Sequence, residues 1–230
     1  MTVDVRAAGS AALLVTFGTL DEVVGFRAAL TALTLPGLTE VVSGARTLLL
    51  RFDPARTDAG RLRADLLRVH LHDSDDGTAD NDASNDSNDS KDGNDSAASN
   101  AGTPLVIPVT YDGEDLDDVA RTTGRTRDEL VAWHTGQVWT SAFCGFAPGF
   151  SYLTGTEPSL DVPRRTTART VVPSGAVALA GEFSAVYPRS SPGGWQLIGR
   201  TDVAMWSLDH DPPALAPAGI RIRFVEAGPA

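Results

Sequence analysis

The pattern of apolar and polar positions over the first seventy residues predicts a short series of strands and helices. Residues 11–17 (AALLVTF) have the pattern of a buried strand, and a capping box at Thr19 and Glu22 starts a helix that ends before Pro36. In chain order the pattern predicts strand, helix, strand, strand and helix, at residues 11–17, 19–35, 38–43, 47–52 and 58–71. This order is typical of a small ferredoxin-like domain, and residues 105–109 are a candidate for its last strand.

Residues 73–102 interrupt this periodicity. They contain nine Asp, one Lys and many Ser and Asn, but no aromatic and no branched aliphatic residue. Such a segment buries too little apolar area to offset its ordering entropy, so we predict a disordered insertion. The chain is thereby divided into domains at residues 1–72 and 103–230, with the insertion between them.

The second domain begins with a strand-like run at residues 105–111, followed by two short helices that end at Gly124 and near His134. From residue 138 to residue 224 the pattern is one of strands and turns, with Gly or Pro about every eight residues. That rhythm favours a β-barrel or a sandwich. The predicted fold class is α+β, with a ferredoxin-like domain followed by a β-barrel domain.

Charge and composition exclude several functions. The net charge is −11, but residues 73–102 contribute −8 of it, so the two domains are close to neutral and nucleic acid is not an expected partner. Lys91 is the only lysine and lies in the insertion, which excludes a P-loop lysine, a Schiff-base lysine in an ordered domain and a biotinylated carrier lysine.

Membrane segments, signal peptides and cysteines indicate where a protein is located in the cell. No apolar run approaches the eighteen or so residues of a membrane span, and the N-terminus has no signal-peptide pattern. Cys144 is the only cysteine, which fits a reducing compartment. We expect a cytoplasmic protein without a membrane partner. The His and Asp spacings match no common metal site, and no metal is predicted on this chain.

Two runs combine glycine and aromatic residues. Residues 142–155 (AFCGFAPGFSYLTG) contain three Phe, one Tyr and three Gly, and residues 187–201 (YPRSSPGGWQLIGRT) place a Pro-Gly-Gly turn directly before Trp195. Large apolar area and backbone bends are thus required together. We interpret the runs as facing walls of one site.

Five arginines lie between Pro163 and Arg200, where Glu182 is the only acid, so the local charge is +4. Guanidinium groups bind carboxylate and phosphate through paired donors, which predicts an anion site. The alternative is that the arginine stems cover barrel strands or contact a partner chain. The predicted anion-binding and substrate-binding residues are Arg164, Arg165, Arg169, Tyr187, Gly193, Gly194 and Gln196.

Three residues are candidates for the chemistry itself: His134, Tyr152 and Arg200. His134 follows a short helix and could act as an acid or a base, or simply complement the helix dipole. Tyr152 and Tyr187 could hold substrate through their hydroxyls or pack at the rim. Gly193 and Gly194 could present consecutive N–H groups to an anion, although a turn needs no ligand.

Six stretches carry a resemblance to a known family: YDGEDLDDVA, ELVAWH, FCGFAPGFSYLTG, VPRRT, VPSGAVALAG and YPRSSPGGWQLIGRT. In this order they resemble the C-terminal domain of the KipI, PxpB and allophanate hydrolase subunit 1 family. The resemblance implies a cyclophilin-like β-barrel for residues 103–230. The sequence departs from the family pattern at Ala168, where relatives have Pro, and at Ala176, where they have Ser.

The resemblance also implies a function. Members of the PxpB type are one component of an ATP-dependent 5-oxoprolinase, which opens 5-oxoproline to L-glutamate together with a PxpC (allophanate hydrolase subunit 2-type) partner and a PxpA-type protein. We expect ATP to be shared with the partner and the chain to be inactive alone. The alternatives are a KipI-type inhibitor of a histidine kinase, or the carboxyltransferase half of a urea carboxylase or allophanate hydrolase-type complex.

Overall fold

The computed structural model describes residues 4–31, 33–74 and 103–228. The N-terminal unit contains β1 (Asp4–Ala7), β2 (Ala12–Thr16), α1 (Leu20–Thr31), β3 (Leu38–Ser43), β4 (Thr47–Phe52) and α2 (Ala59–Ser74). The C-terminal unit contains β5 (Leu105–Val109), α3 (Leu116–Thr122), α4 (Arg127–Thr135), β6 (Trp139–Cys144), β7 (Ser151–Gly155), β8 (Arg169–Val172), β9 (Ala176–Ala180), β10 (Phe183–Val186), β11 (Ser191–Gly193), β12 (Gln196–Arg200) and β13 (Arg221–Glu226).

The N-terminal unit is a four-stranded antiparallel sheet, in the order β1-β2-β4-β3, packed against two helices. Alternate residues of the central strands, such as Leu13 and Leu48, are buried against Val23 and Phe26 of α1. The capping box is present, because Thr19 Oγ1 accepts from the Glu22 backbone N–H and the Glu22 carboxylate accepts from the Thr19 N–H. The predicted order of strands and helices over residues 11–74 is therefore confirmed.

The predicted last strand of this sheet is wrong. β1, which pairs antiparallel with β2, occupies the edge, whereas residues 105–109 form β5 in the other sheet and run parallel to β13. Periodicity missed β1 because its alternation, DVRA, is only four residues long and three of those residues are exposed. α2 also continues to Ser74, two residues into the segment predicted as disordered, and the rest of that segment lies outside the described residues.

The C-terminal unit is a seven-stranded sheet in the order β12-β9-β10-β7-β6-β13-β5. Its two outer strands approach each other where Thr110 and Arg200 exchange backbone hydrogen bonds of 2.8 and 2.9 Å, so the sheet is nearly closed into a barrel. The interior is filled by residues such as Ile107, Leu153 and Phe224. The predicted α+β class and the barrel-like sheet are confirmed.

Strand β9 separates two apolar layers, because all five of its residues are buried. Val177 and Leu179 face the barrel interior, while Ala178 and Ala180 face a second cluster on the outer side of the sheet. Small side chains on the outer face leave room for large rings above them. This arrangement places the aromatic residues of the two glycine-rich runs.

The two units are in contact. Ala142 of β6 is buried within the N-terminal core, and Phe143 and Phe183 pack against it. Cys144, at the end of β6, is exposed. Within the part of the chain that the structure describes, no helix has both the length and the apolar character needed to cross a membrane.

Candidate functional site

The two glycine-rich runs meet in one aromatic cluster, which we define as Phe150, Tyr152, Tyr187 and Trp195. Phe150 is at its centre, with ring centroids 5.2 Å from Tyr187, 5.5 Å from Trp195 and 5.1 Å from Tyr152. Most of these contacts are edge-to-face, the geometry that aromatic rings prefer in cores. The runs do lie face to face, as predicted, but the rings themselves fill the space between them.

Both predicted tyrosines belong to this cluster. Tyr187 is buried, and burial raises the pKa of its phenol despite a hydrogen bond from the Trp195 backbone. Tyr152 is half-buried and stacks on Phe143, with 4.3 Å between ring centroids. These environments agree with the packing alternative, and the substrate contacts predicted for the two hydroxyls stay predictions.

In the Pro-Gly-Gly turn, packing against Tyr187 explains why the first position, Gly193, is a glycine. A Cβ on Gly193 would lie 2.4 Å from the hydroxyl oxygen of Tyr187, whereas a Cβ on Gly194 would come no closer than 3.8 Å to any atom. Neither glycine has a positive φ, so the alternating backbone of an anion nest is not formed here. The geometry therefore favours the alternative interpretation, in which Gly193 and Gly194 form a turn that binds no anion.

His134 lies in the barrel interior and is fully buried. Its Nδ1 is 2.7 Å from the Tyr111 hydroxyl, its Nε2 is 2.9 Å from Ser184 Oγ, and its ring stacks on Phe224. Burial lowers the pKa of the imidazole to about 3, so the ring is neutral at physiological pH. Both nitrogens are engaged and the side chain has no exposed surface, so this geometry does not support the catalytic role predicted for His134.

Asp115 organises the arginines that the sequence singled out. Its carboxylate is only 4% exposed and accepts from Arg165 Nη1 at 2.6 Å, from Arg169 Nη2 at 2.8 Å and from the Leu197 backbone N–H at 2.7 Å. Glu114 adds a second carboxylate, 3.0 Å from Arg169 Nη2. Two acids some fifty positions earlier in the chain thus offset half of the local charge of +4.

Burial alone would raise the pKa of the Asp115 carboxyl. The hydrogen bonds from Arg169 and from the Leu197 N–H, together with the charges of both arginines, outweigh burial and hold that pKa below its usual range. Sequence reasoning missed Asp115 because an acidic residue before a helix is normally interpreted as a favourable charge for the helix dipole. Asp115 does lie at the N-cap position of α3, but it makes no capping hydrogen bond with its side chain.

Arg200 lies apart from this network. Its side chain is 60% exposed and donates from Nε to Asp112 Oδ2 at 2.9 Å, while its backbone closes the barrel against Thr110. No bound group or partner tests its predicted part in the chemistry, but its exposure and its ion pair with Asp112 favour a surface position outside the substrate site. Arg200 also does not line the cleft to which Arg164 and Arg165 contribute.

That cleft, which we call the α3 cleft, has a volume of about 460 Å³. One wall is the exposed side of α3, and the other is the segment 162–167 with Gln196 from β12. The structure therefore brings together three predicted residues, Arg164, Arg165 and Gln196, and adds Arg121 from α3. Arg169, Tyr187, Gly193 and Gly194 do not line this cleft.

Two other cavities lie elsewhere. One of about 630 Å³ opens between α1 and the ends of β6 and β13, where Arg27 donates to Ser43 and to the Val41 carbonyl. The other, of about 210 Å³, lies near Trp133 and three acidic residues, Asp21, Glu157 and Glu182. Neither contains any of the predicted site residues.

Comparison with known proteins gives the family. A family model for the carboxyltransferase domain, subdomain C and D, matches residues 3–216. The chain belongs to this family. The match includes both units and runs through the α3 cleft, so the cleft is part of the family domain and not an addition to it.

Curated relatives of this carboxyltransferase-domain protein share one name. The chain is 42% identical over 130 residues to the B subunit of 5-oxoprolinase from Haemophilus influenzae, covering 55% of this chain and 61% of the relative. It is 41% identical over 122 residues to the B subunit of 5-oxoprolinase from Bacillus subtilis, covering 52% and 51%. The matches thus span little more than half the length of the curated relatives.

Solved structures support the fold over nearly the whole chain. The protein TTHA0988 is 30% identical with a TM-score of 0.68, and the match covers 96% of this chain but 40% of that one. The urea carboxylase of Kluyveromyces lactis matches 98% of this chain and 22% of its own length, with a TM-score of 0.57. At 17% identity this second likeness concerns the fold alone.

Proposed function

We propose that this chain is the B subunit of an ATP-dependent 5-oxoprolinase. The observation that carries the proposal is the shared name of the curated relatives, which are 40–42% identical to this chain and are each named as the B subunit of 5-oxoprolinase. In this function the chain acts with other subunits to open the cyclic amide of 5-oxoproline, and water and ATP are consumed as L-glutamate is released.

The chemistry of ring opening explains why ATP is needed. A lactam carbonyl is a weak electrophile, and transfer of the γ-phosphoryl group to its oxygen activates the carbon toward addition of water. The adduct then breaks its C–N bond, which opens the ring to an acyl phosphate, and a second water releases phosphate and L-glutamate. Cationic side chains that neutralise carboxylate or phosphate would assist such a step. On this chain the exposed Arg164 of the α3 cleft supplies that charge, since Arg165 is paired with Asp115, and ATP is proposed to be shared with the partner subunit at a site outside the cleft.

A partner chain is part of the proposal. We propose a PxpC-type protein, related to allophanate hydrolase subunit 2, and a PxpA-type protein. In support, the match to TTHA0988 leaves 60% of that longer chain unaccounted for, which fits a second component fused there and separate here. Phe146 and Leu208 are 61% and 83% exposed, and apolar side chains of this size at a surface suit a partner interface.

Two structural assignments and a location go with this function. The N-terminal unit is proposed to be a ferredoxin-like variant in which β1 replaces the last strand, because β1 pairs antiparallel with β2 at the sheet edge. The barrel unit is proposed to be cyclophilin-like. A cytoplasmic location fits the single cysteine, Cys144.

The test is reconstitution. The chain is coexpressed with the PxpC-type and PxpA-type proteins of the same organism, and glutamate release from 5-oxoproline is measured with and without ATP. We expect ATP-dependent release by the full complex, and none by the chain alone or by the complex lacking it. Robust turnover by the single chain would contradict the subunit assignment.

The same preparation discriminates the alternatives. The family model names a carboxyltransferase domain, so ATP turnover with urea and a biotin carrier forms one control reaction. Autophosphorylation of a histidine kinase in the presence of the chain forms the other. If either responds while 5-oxoproline does not, the substrate assignment is wrong.

A further inference from the structure

We propose that the α3 cleft binds the carboxylate of a small monoanionic acid, with Arg164 as its principal ligand. The identification of that acid as 5-oxoproline rests on the proposed function. The cleft itself rests on geometry: about 460 Å³ lies between α3 and residues 162–167, within the range of roughly 300–1,000 Å³ that is usual for small-molecule sites.

Arg164 is the available cation of the cleft. It is exposed, and within residues 4–31, 33–74 and 103–228 it forms no ion pair with a carboxylate. Its guanidinium carbon lies 6.0 Å from the ring centroid of Trp195, which is itself buried in the aromatic cluster. The indole ring restrains the guanidinium without neutralising it. Arg164 is thus held in place with its charge available to a ligand.

Arg165 lines the cleft beside Arg164 but is already engaged by a carboxylate. Its Nη1 is committed to Asp115, but its Nε is buried and has no acceptor among the described residues. A buried donor without an acceptor costs stability. The Nε is not open to the cleft, so it is a local cost of holding Arg165 against Asp115 and not a contact for a ligand.

Gln196 supplies the complementary group. Its Nε2 donates to the Pro163 carbonyl at 3.0 Å, which orients the amide and leaves Oε1 as an acceptor at the cleft. An acid that also carries an amide N–H can therefore satisfy both sides of the cleft, with its carboxylate at Arg164 and its N–H at Gln196. 5-Oxoproline has both groups.

The charge balance favours a monoanion over a nucleotide. Arg121, Arg164 and Arg165 bring three positive charges, but Arg121 pairs with Asp118 and Arg165 pairs with Asp115. One positive charge remains. That charge matches one carboxylate and falls well short of a triphosphate, so ATP is expected to bind elsewhere in the complex.

The experiment is an NMR titration of the purified full-length chain with 5-oxoproline. Matched probes are 2-pyrrolidinone, which has the lactam but no carboxylate, and inorganic phosphate. We expect saturable shifts confined to residues 162–167, Gln196 and α3 for 5-oxoproline, and none for 2-pyrrolidinone. Arg164→Gln should weaken binding at least tenfold, the loss expected for a charge-assisted contact of ~1.4 kcal/mol.

The control is Arg223→Gln. Arg223 is an exposed arginine on β13 that does not line the cleft, so the dissociation constant should stay within about twofold of wild type. The proposal is overturned if Arg164→Gln binds as wild type does, if wild type shows no saturable shift, or if 2-pyrrolidinone binds as well as 5-oxoproline. Tighter, Arg164-dependent binding of phosphate would also overturn it, since the cleft would then be a phosphate site.

The cleft and the function can fail separately. If the reconstituted complex releases no glutamate while Arg164-dependent binding of a carboxylate persists, the function is wrong and the cleft stands. If the complex is active and Arg164→Gln leaves the KM for 5-oxoproline equal to that of Arg223→Gln, the function stands and the cleft assignment is wrong.

Discussion

The aromatic cluster and the α3 cleft are neighbours, because Arg164 of the cleft lies over Trp195 of the cluster, and they differ in how their space is filled. In the cluster, Phe150 and Tyr187 are buried, and their rings pack edge to face between the two glycine-rich runs. In the cleft, Arg164 and Gln196 line open space. The sequence is more conspicuous in the first region, but only the second leaves room for a ligand.

The difference teaches what a dense aromatic motif indicates. Large rings on one face of a sheet require small partners beneath them and glycine where a chain passes close to a ring, as Ala178 and Gly193 do here. A sequence motif that must meet these packing requirements is distinctive whether or not its residues contact substrate. A ligand cleft requires only a few oriented polar groups, which leave a weak signal in the sequence. Substitutions in the cluster should therefore change stability, and those in the cleft should change binding.

The largest effect should come from Asp115, which joins the two regions. Asp115→Ala leaves Arg165 and Arg169 without their shared carboxylate and the Leu197 N–H without its acceptor. We expect a loss of about 3–5 kcal/mol in the free energy of unfolding, measured by chemical denaturation. Asp112→Ala is the control, since its pair with Arg200 is exposed and is worth about 0–1 kcal/mol. Equal losses for the two variants would show that Asp115 is not a buried organiser.

The second prediction concerns pH and the neutral His134. In the unfolded chain a histidine binds a proton below a pH of about 6.5, whereas the folded His134, with its pKa lowered to about 3, does not. Stability should therefore fall as the pH drops from about 6.5 toward 3, with a contribution of up to ~1.4 kcal/mol per pH unit. Denaturation of wild type and His134→Gln between pH 7 and pH 5 measures this slope.

The His134→Gln variant should be less stable at pH 7 but should lack that part of the slope. An unchanged slope would mean that His134 becomes protonated in the folded protein. Such a result would return it to the group of accessible acid–base residues and would weaken its assignment to the packed interior.

The third prediction compares two adjacent glycines. Gly193→Ala should destabilise the protein by about 1–3 kcal/mol, because its methyl group would meet the hydroxyl of the buried Tyr187. Gly194→Ala has room for its methyl group and a compatible φ, so it should be neutral or stabilising by up to about 1 kcal/mol. Thermal denaturation separates the two. Equal, small effects on stability with equal loss of ligand binding would favour the anion nest instead.

Much of the fold could be predicted because it depends on local pattern. The N-terminal order of strands and helices follows from apolar periodicity and from the Thr19 capping box, both of which act within a few residues. Strand β1 and the sheet to which β5 belongs could not be predicted, because pairing depends on partners distant in the chain, such as β13 at residues 221–226. Strand partners are a property of the whole fold.

The same distinction applies to the site. The arginines between residues 163 and 200 were found from local charge, but their neutralisation by Glu114 and Asp115 spans about fifty residues and leaves no local signal. His134 was a reasonable candidate for acid–base chemistry until its burial was known, since a histidine at a helix end is often accessible. Of the predicted anion-binding residues, those that line the open cleft, Arg164, Arg165 and Gln196, were not distinguishable from the packed ones by sequence.

The smallest effect should come from Arg200, which belongs to neither region. Its side chain is 60% exposed and makes one ion pair, with Asp112, while only its backbone takes part in closing the barrel. Arg200→Lys keeps the charge, so we expect the free energy of unfolding to change by no more than about 0.5 kcal/mol, and glutamate release by the reconstituted complex to stay within about twofold. Arg164→Gln, assayed in parallel, should raise the KM at least tenfold. A tenfold loss of activity per intact complex for Arg200→Lys would place Arg200 in the chemistry after all, at a surface that a partner subunit completes, and the α3 cleft would then not be the only part of this chain that contacts substrate.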